Sequence, residues 1–210
     1  LLDGVTSNSE GEIILEGDLA SQNLIMTSGV NMDTGAVNEF SLSSPAGYGV
    51  VNPLTTLVNS IATAGGTSAA EAEAQVIATL GLELSDEGAG LSGYDPMADQ
   101  TADSLANRVV TAQIASVLAV AAASGEDEDA AEAAQQSVLD NQANAILGPE
   151  EFVLNSGSMA ELMTNSDGEL LVDDELLGEL GSAVDQLNDA DSIDTIVSVQ
   201  ATLTNKIAPD

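Results

Sequence analysis

The strongest constraint on the fold is a change of pattern at Asn52. In "NPLTTLVNSIATAGG", Asn52 stands as a helix cap and Pro53 takes the first helical position, where its missing N–H leaves nothing unpaired. Leu54, Leu57, Val58 and Ile61 follow at i, i+3, i+4 and i+7, one face of an amphipathic helix, and Gly65-Gly66 stops it. The next unit has the same plan: Ser68 and Glu71 form a capping box, Ala72, Val76 and Leu80 share a face, and Gly81 ends the run.

The pattern continues to the end of the chain. Asp95-Pro96 is another cap-then-proline start and predicts the longest helix, reaching about Ala123, with Leu105, Val109, Ile114, Val117 and Leu118 inward. Its last residues, Ala119 to Ala123, are mostly small and permit close helix approach. Glu126-Asp127-Glu128-Asp129 opens a further helix, its carboxylates opposing the positive end of the dipole. That helix carries Ala134, Val138 and Leu139 inward and stops near Gly148-Pro149. Short helical pieces are expected at Glu150 to Leu154 and Ser158 to Met163. Two longer helices follow, one from Asp173 to about Leu187 with Leu176, Leu177, Leu180, Val184 and Leu187 on a stripe. The other starts at Ser192, with Ile193, Ile196, Val197 and Leu203 facing in.

Before Asn52 the pattern is β and turn. "EIILE" (Glu12 to Glu16), "NLIMTS" (Asn23 to Ser28) and "VNEFSL" (Val37 to Leu42) are short strand-like runs separated by Gly, Asn and Asp. The expected fold is therefore α+β, mainly α: a β/turn segment over 1–51 and a helical domain over 52–210, a bundle of five or more helices.

Charge limits what such a fold can do. The chain has 35 acidic residues against two basic ones, Arg108 and Lys206, for a formal net charge of −33. Phosphate binding needs clustered Lys and Arg, so nucleic acid and anionic membrane surfaces are unsuitable partners, whereas cations are attracted. No uninterrupted run of about 18 apolar residues occurs, so membrane insertion is not expected. Arg108 is expected in an ion pair that covers a helix junction, or facing a partner's carboxylate.

Catalytic templates find little support. There is no His and no Cys, which removes the usual neutral-pH general base, the thiolate and the imidazole metal ligand. A Ser-Lys dyad would have to use Lys206, a C-terminal residue better suited to answering a helix dipole. Asp33-Thr34-Gly35 resembles half of an aspartic protease, which needs two such loops; with one copy, only a symmetric dimer could place two carboxylates together. The expectation is no enzyme, with an Asp33-based dimeric protease as a remote alternative.

A family resemblance appears around the first helix. Asp33-Thr34-Gly35, Pro45-Ala46-Gly47 and Val51-Asn52-Pro53-Leu54-Thr55-Thr56-Leu57-Val58 resemble a segment of long bacterial surface proteins of the adhesin and calcium-binding-repeat type. The similarity extends through "AAEAEAQV" (Ala69 to Val76), "LGL" (Leu80 to Leu82) and Asp95-Pro96, covering roughly residues 30 to 120. The resemblance implies an extracellular, non-enzymatic setting in which a small β domain opens onto a helical region. It carries no catalytic residues, and the motif has no second copy here. The start at Leu1-Leu2-Asp3 agrees with a processed product or an interior piece of a longer chain.

Calcium is the chemical alternative, because hard divalent cations take oxygen ligands. In "NSDGELLVDDEL" (Asn165 to Leu176), Gly168 can stand at the sixth position of an EF-hand loop, with Asn165 and Asp167 at the third and fifth and Leu170 at the eighth. Met163 then occupies the first position and Asp174 the twelfth, where the pattern wants Asp and Glu. The looser expectation is a calcium site using Asp167, Glu169, Asp173 and Asp174, against a plain Asn-Ser-Asp-Gly turn with solvated carboxylates. A similar turn, "NSEGEIILEGDL" (Asn8 to Leu19), shares the turn and an apolar trio. The function expected overall is a structural or adhesion module at the cell surface or outside the cell. It would act by contact with copies of itself or a surface protein, assembling when cations screen the charge.

Overall fold

The computed structural model describes residues 22–27, 29–30, 37–38, 40–84, 90–96, 102–149 and 152–207. It is mainly helical with small antiparallel β pairings near the N-terminus, the α+β class expected. The strands are β1 (Leu24–Met26), β2 (Gly29–Val30), β3 (Val37–Asn38) and β4 (Leu42–Ser44). The helices are α1 (Pro53–Gly65), α2 (Ala69–Leu80), α3 (Ala102–Ala123), α4 (Glu128–Leu147), α5 (Met159–Leu162), α6 (Asp174–Asn188) and α7 (Ile193–Ile207), with a 3-10 turn at Leu91–Gly93.

The local starts and stops read from the sequence hold at α1 and α2. Asn52 Oδ1 accepts the Thr55 N–H at 2.9 Å while Thr55 Oγ1 accepts the Asn52 N–H at 2.9 Å. Ser68 and Glu71 make the second capping box, and both helices end on left-handed glycines, Gly66 at φ 59° and Gly81 at φ 62°. Asp127 and Asp173 cap α4 and α6 one-sidedly, each carboxylate accepting the N–H three residues on. On α1, Leu54, Leu57, Val58 and Ile61 are all fully buried, each contributing about 1.5–3 kcal/mol of transfer free energy.

β1 and β4 pair antiparallel with Ile25 opposite Ser43, and β2 pairs with β3. The expected strand over Val37 to Leu42 is thus divided: Val37–Asn38 serves β2, Phe40 turns into the core, and pairing resumes at Leu42. The cause is α1. The Ser43 N–H donates to Thr56 Oγ1 at 2.8 Å, and the Thr55 and Thr56 hydroxyls both lie 3.1 Å from the Ser43 carbonyl. Two side chains therefore cover the edge of β4 that β1 leaves open. The expected strand at Glu12 to Glu16 lies outside the described residues.

α3 is the central element, packing on α4, α6, α7 and α1. Its segment Ser104–Ala123 is long and apolar enough to cross a membrane by length and composition, and 72% of it is buried inside the fold. Phe40 and Leu42 join the same buried cluster as the helices, so residues on both sides of position 52 share one core.

Three expectations are corrected. Pro96 is in a turn and not in the first helical position, and α3 is described from Ala102. Asn52 Nδ2 donates to the Tyr94 carbonyl at 3.1 Å and Asn107 Nδ2 donates to the Tyr94 hydroxyl at 2.7 Å, holding Tyr94, with its extended backbone, against α1 and α3. Phe152 to Leu154 are not helical, because the Leu154 carbonyl accepts from Asn188 Nδ2 at 2.9 Å and Asn155 starts its own side-chain turn with Gly157 and Ser158. On α7 the buried residues are Ile196, Val199 and Leu203, whose stripe leaves Val197 half-buried and Ile193 40% exposed on its flank.

Candidate functional site

The acidic turn is formed by short-range hydrogen bonds. Asn165 Oδ1 accepts the N–H groups of Asp167 at 3.0 Å and Glu169 at 2.9 Å, the Gly168 N–H closes onto the Asn165 carbonyl at 3.0 Å, and Gly168 takes φ 80°. Thr164 and Leu170 then bridge as antiparallel partners, and the Leu171 N–H reaches the Met163 carbonyl at 2.8 Å. The turn is thus a minimal hairpin whose asparagine oxygen is already occupied. Asp173 uses its carboxylate to cap α6 at Leu176, with Asp174 in the first helical turn behind it. Among the described residues no three carboxylates converge to hold a metal, so Asp167, Glu169, Asp173 and Asp174 are neighbours in sequence but are not gathered into a cage. The matching turn at Asn8 and the Asp33-Thr34-Gly35 tripeptide lie outside the described residues.

The two basic side chains differ in setting. Arg108 is buried on α3, 6% exposed. Lys206, in the last turn of α7, pairs with Glu179 of α6 at 2.9 Å with both side chains well exposed, and that carboxylate raises the lysine's affinity for its proton. The lysine thereby serves both the helix dipole and an interhelical contact.

Glu73 is a carboxylate shared between segments distant in sequence. It accepts the Tyr48 hydroxyl at 2.6 Å and the Leu91 N–H at 3.0 Å, joining α2 to the loop before α1 and to the 3-10 turn. Burial, followed by the hydrogen bond and the charge of Glu73, pushes the Tyr48 phenol above its ordinary pKa of 10.0. The bonds tie three segments together at one carboxylate, as a structural lock does.

Two further surfaces stand out, the first a strand edge of the kind that short N-terminal strands lead one to expect and the second not anticipated from the sequence. One is the β1–β4 ladder. Among the described residues β1 has a strand on one side only, and Ile25 at its centre is 67% exposed. The other is a cleft of about 350 Å³ where α1 meets α4 over β4, lined chiefly by Thr56, Asn59, Ser60, Thr63, Gln136 and Asp140. Its signal was legible: Thr56, Asn59, Ser60 and Thr63 follow the same i, i+3, i+4, i+7 spacing as the apolar stripe, two residues later.

No family model, curated protein or solved structure matches this chain.

Proposed function

We propose that the chain is a non-enzymatic structural module of an extracellular or cell-surface protein, working by protein–protein contact with further copies of itself. The observation that carries this reading is the asymmetry of the β1–β4 ladder. The β4 edge is covered by Thr55 and Thr56, whereas β1 has no strand beyond it among the described residues and presents Ile25 to solvent. An edge of this kind accepts a strand, and a second copy can supply one across a two-fold axis, where the same antiparallel edge faces itself.

Supporting features are the absence of His and Cys from the sequence, and the likeness of the Asn52 to Val58 segment to bacterial surface proteins. The net charge of −33 opposes association in dilute buffer, so assembly is conditional on salt or divalent cations. Sedimentation velocity across chelator, millimolar calcium and molar sodium chloride tests the reading. Association is expected to grow as the charge is screened and to weaken in Ile25→Lys. A monomer under all three conditions overturns it.

A further inference from the structure

We propose, resting on the self-association reading above, that the contact is a closed dimer in which Ile25 meets its own copy on the two-fold axis as a hydrogen-bonded antiparallel pair. The register follows from α1. The Ser43 N–H donates to Thr56 Oγ1, and the Thr55 and Thr56 hydroxyls lie 3.1 Å from the Ser43 carbonyl, so both backbone groups of Ser43 point away from β1. In an antiparallel ladder the N–H and C=O of one residue lie on the same side, and successive residues alternate. Ile25 stands opposite Ser43, which makes theirs the non-hydrogen-bonded pair; Leu24 with Ser44 and Met26 with Leu42 carry the ladder bonds. The N–H and C=O of Ile25 therefore face the open side of β1.

A two-fold axis at Ile25 overlaps β1 fully with its copy, sets Leu24 opposite Met26 of the partner subunit, and lets each Ile25 donate to and accept from the other. The two Ile25 side chains, 67% exposed in the single chain, then lie on one face about 5.5 Å apart at Cα and cover each other. The strand is held ready at its start: Asn23 Nδ2 donates to Asn59 Oδ1 at 3.0 Å, and Asn23 Oδ1 accepts the Ala46 N–H at 3.0 Å. Charge selects the same face. None of the 35 acidic residues falls between Asp18 and Asp33 or between Glu39 and Glu71, the stretches that supply β1, β4 and the whole of α1. Two chains of charge −33 meet there with the least repulsion. Because Thr55 and Thr56 cover the far edge of β4, pairing consumes the one edge of this ladder that is open among the described residues, and it stops at two chains. The ladder is short, so the dimer is weak and forms at high protein concentration in screening salt.

The test is sedimentation equilibrium of the full chain in molar sodium chloride over a wide range of concentration, joined to amide hydrogen exchange. A monomer–dimer equilibrium without larger species is expected. Exchange at the Ile25 amide should slow as dimer forms, while Leu24 and Met26, already bonded to β4, change little. Ile25→Pro removes an N–H that faces the open edge, so it should leave the melting temperature of the dilute monomer nearly unchanged and weaken dimerisation ~10-fold or more. Met26→Pro removes a ladder donor and should destabilise the monomer itself. If Ile25→Pro does not fold, the exchange pattern of the unsubstituted chain decides. A monomer at every concentration overturns the self-association reading and this inference with it. A dimer whose Ile25 exchange is unaltered, or that Ile25→Pro leaves intact, keeps self-association and overturns the register. Species that grow past two chains with concentration overturn the closure.

Discussion

Thr56 and Ser43 form the join between the β segment and the helical bundle: the Ser43 N–H donates to Thr56 Oγ1 at 2.8 Å, and the Thr56 hydroxyl lies 3.1 Å from the Ser43 carbonyl. A side chain on the first turn of α1 thus does what a neighbouring strand would do for β4. Thr56→Val keeps the shape and removes both partners, leaving a strand N–H without an acceptor at a buried position. The expected loss is about 1–3 kcal/mol of unfolding free energy measured by denaturant titration, against about 1 kcal/mol for Thr56→Ser, which keeps the hydroxyl.

Alkaline pH should act through Tyr48. Its folded pKa is raised by burial and by Glu73, so its contribution to stability is complete below the ordinary tyrosine value of 10.0 and is lost as pH rises through the folded value. Stability measured between pH 8 and 12 is expected to fall above about pH 10, and Tyr48→Phe should flatten that fall. Equal slopes in the two proteins would place the alkaline loss elsewhere.

Two glycines of α6 should respond in opposite senses to alanine. Around Gly178 there is nothing within 4 Å of an added Cβ, so Gly178→Ala should raise stability by about 1 kcal/mol through helix propensity alone. At Gly181 the added atom would lie 3.1 Å from Ser156 Cβ and 3.3 Å from its Cα, close enough to push the loop away. Gly181→Ala is expected to gain nothing or to destabilise, as thermal melts of the two variants will show.

Asn141 holds the hairpin after α5 from the side. Its Nδ2 lies 3.3, 3.0 and 2.7 Å from the carbonyls of Glu161, Leu162 and Thr164. Asn141→Ala should cost about 1–3 kcal/mol and speed hydrogen exchange at Met163 and Leu171 while leaving α1 and α2 unchanged.

Screening should stabilise the fold regardless of cation identity. With a net charge of −33, the melting temperature is expected to rise with ionic strength, and calcium and magnesium should match each other at equal concentration. A rise specific to calcium, lost in an Asp167→Asn, Glu169→Gln variant, would instead restore a cage at the acidic turn.

The sequence by itself determined the helix boundaries wherever the signal was local. Asn52 with Pro53, Ser68 with Glu71, Asp127, Asp173 and the left-handed Gly66 and Gly81 act within one turn of their own positions, so each was legible without knowing what packs nearby. The same holds for the Asn165 turn, whose hydrogen bonds are made within five residues. Tertiary structure alone decided where partners lie far apart in the chain. Tyr94 is held by Asn52 and Asn107, which fixes the residue before Asp95-Pro96 as extended chain; Leu154 gives its carbonyl to Asn188, which keeps Phe152 and Val153 from coiling. Ser60 and Asp140 face one cleft only because α1 and α4 pack together. Caps and stripes are properties of a few consecutive residues, whereas a buried polar group takes its partner from whichever element the fold brings beside it.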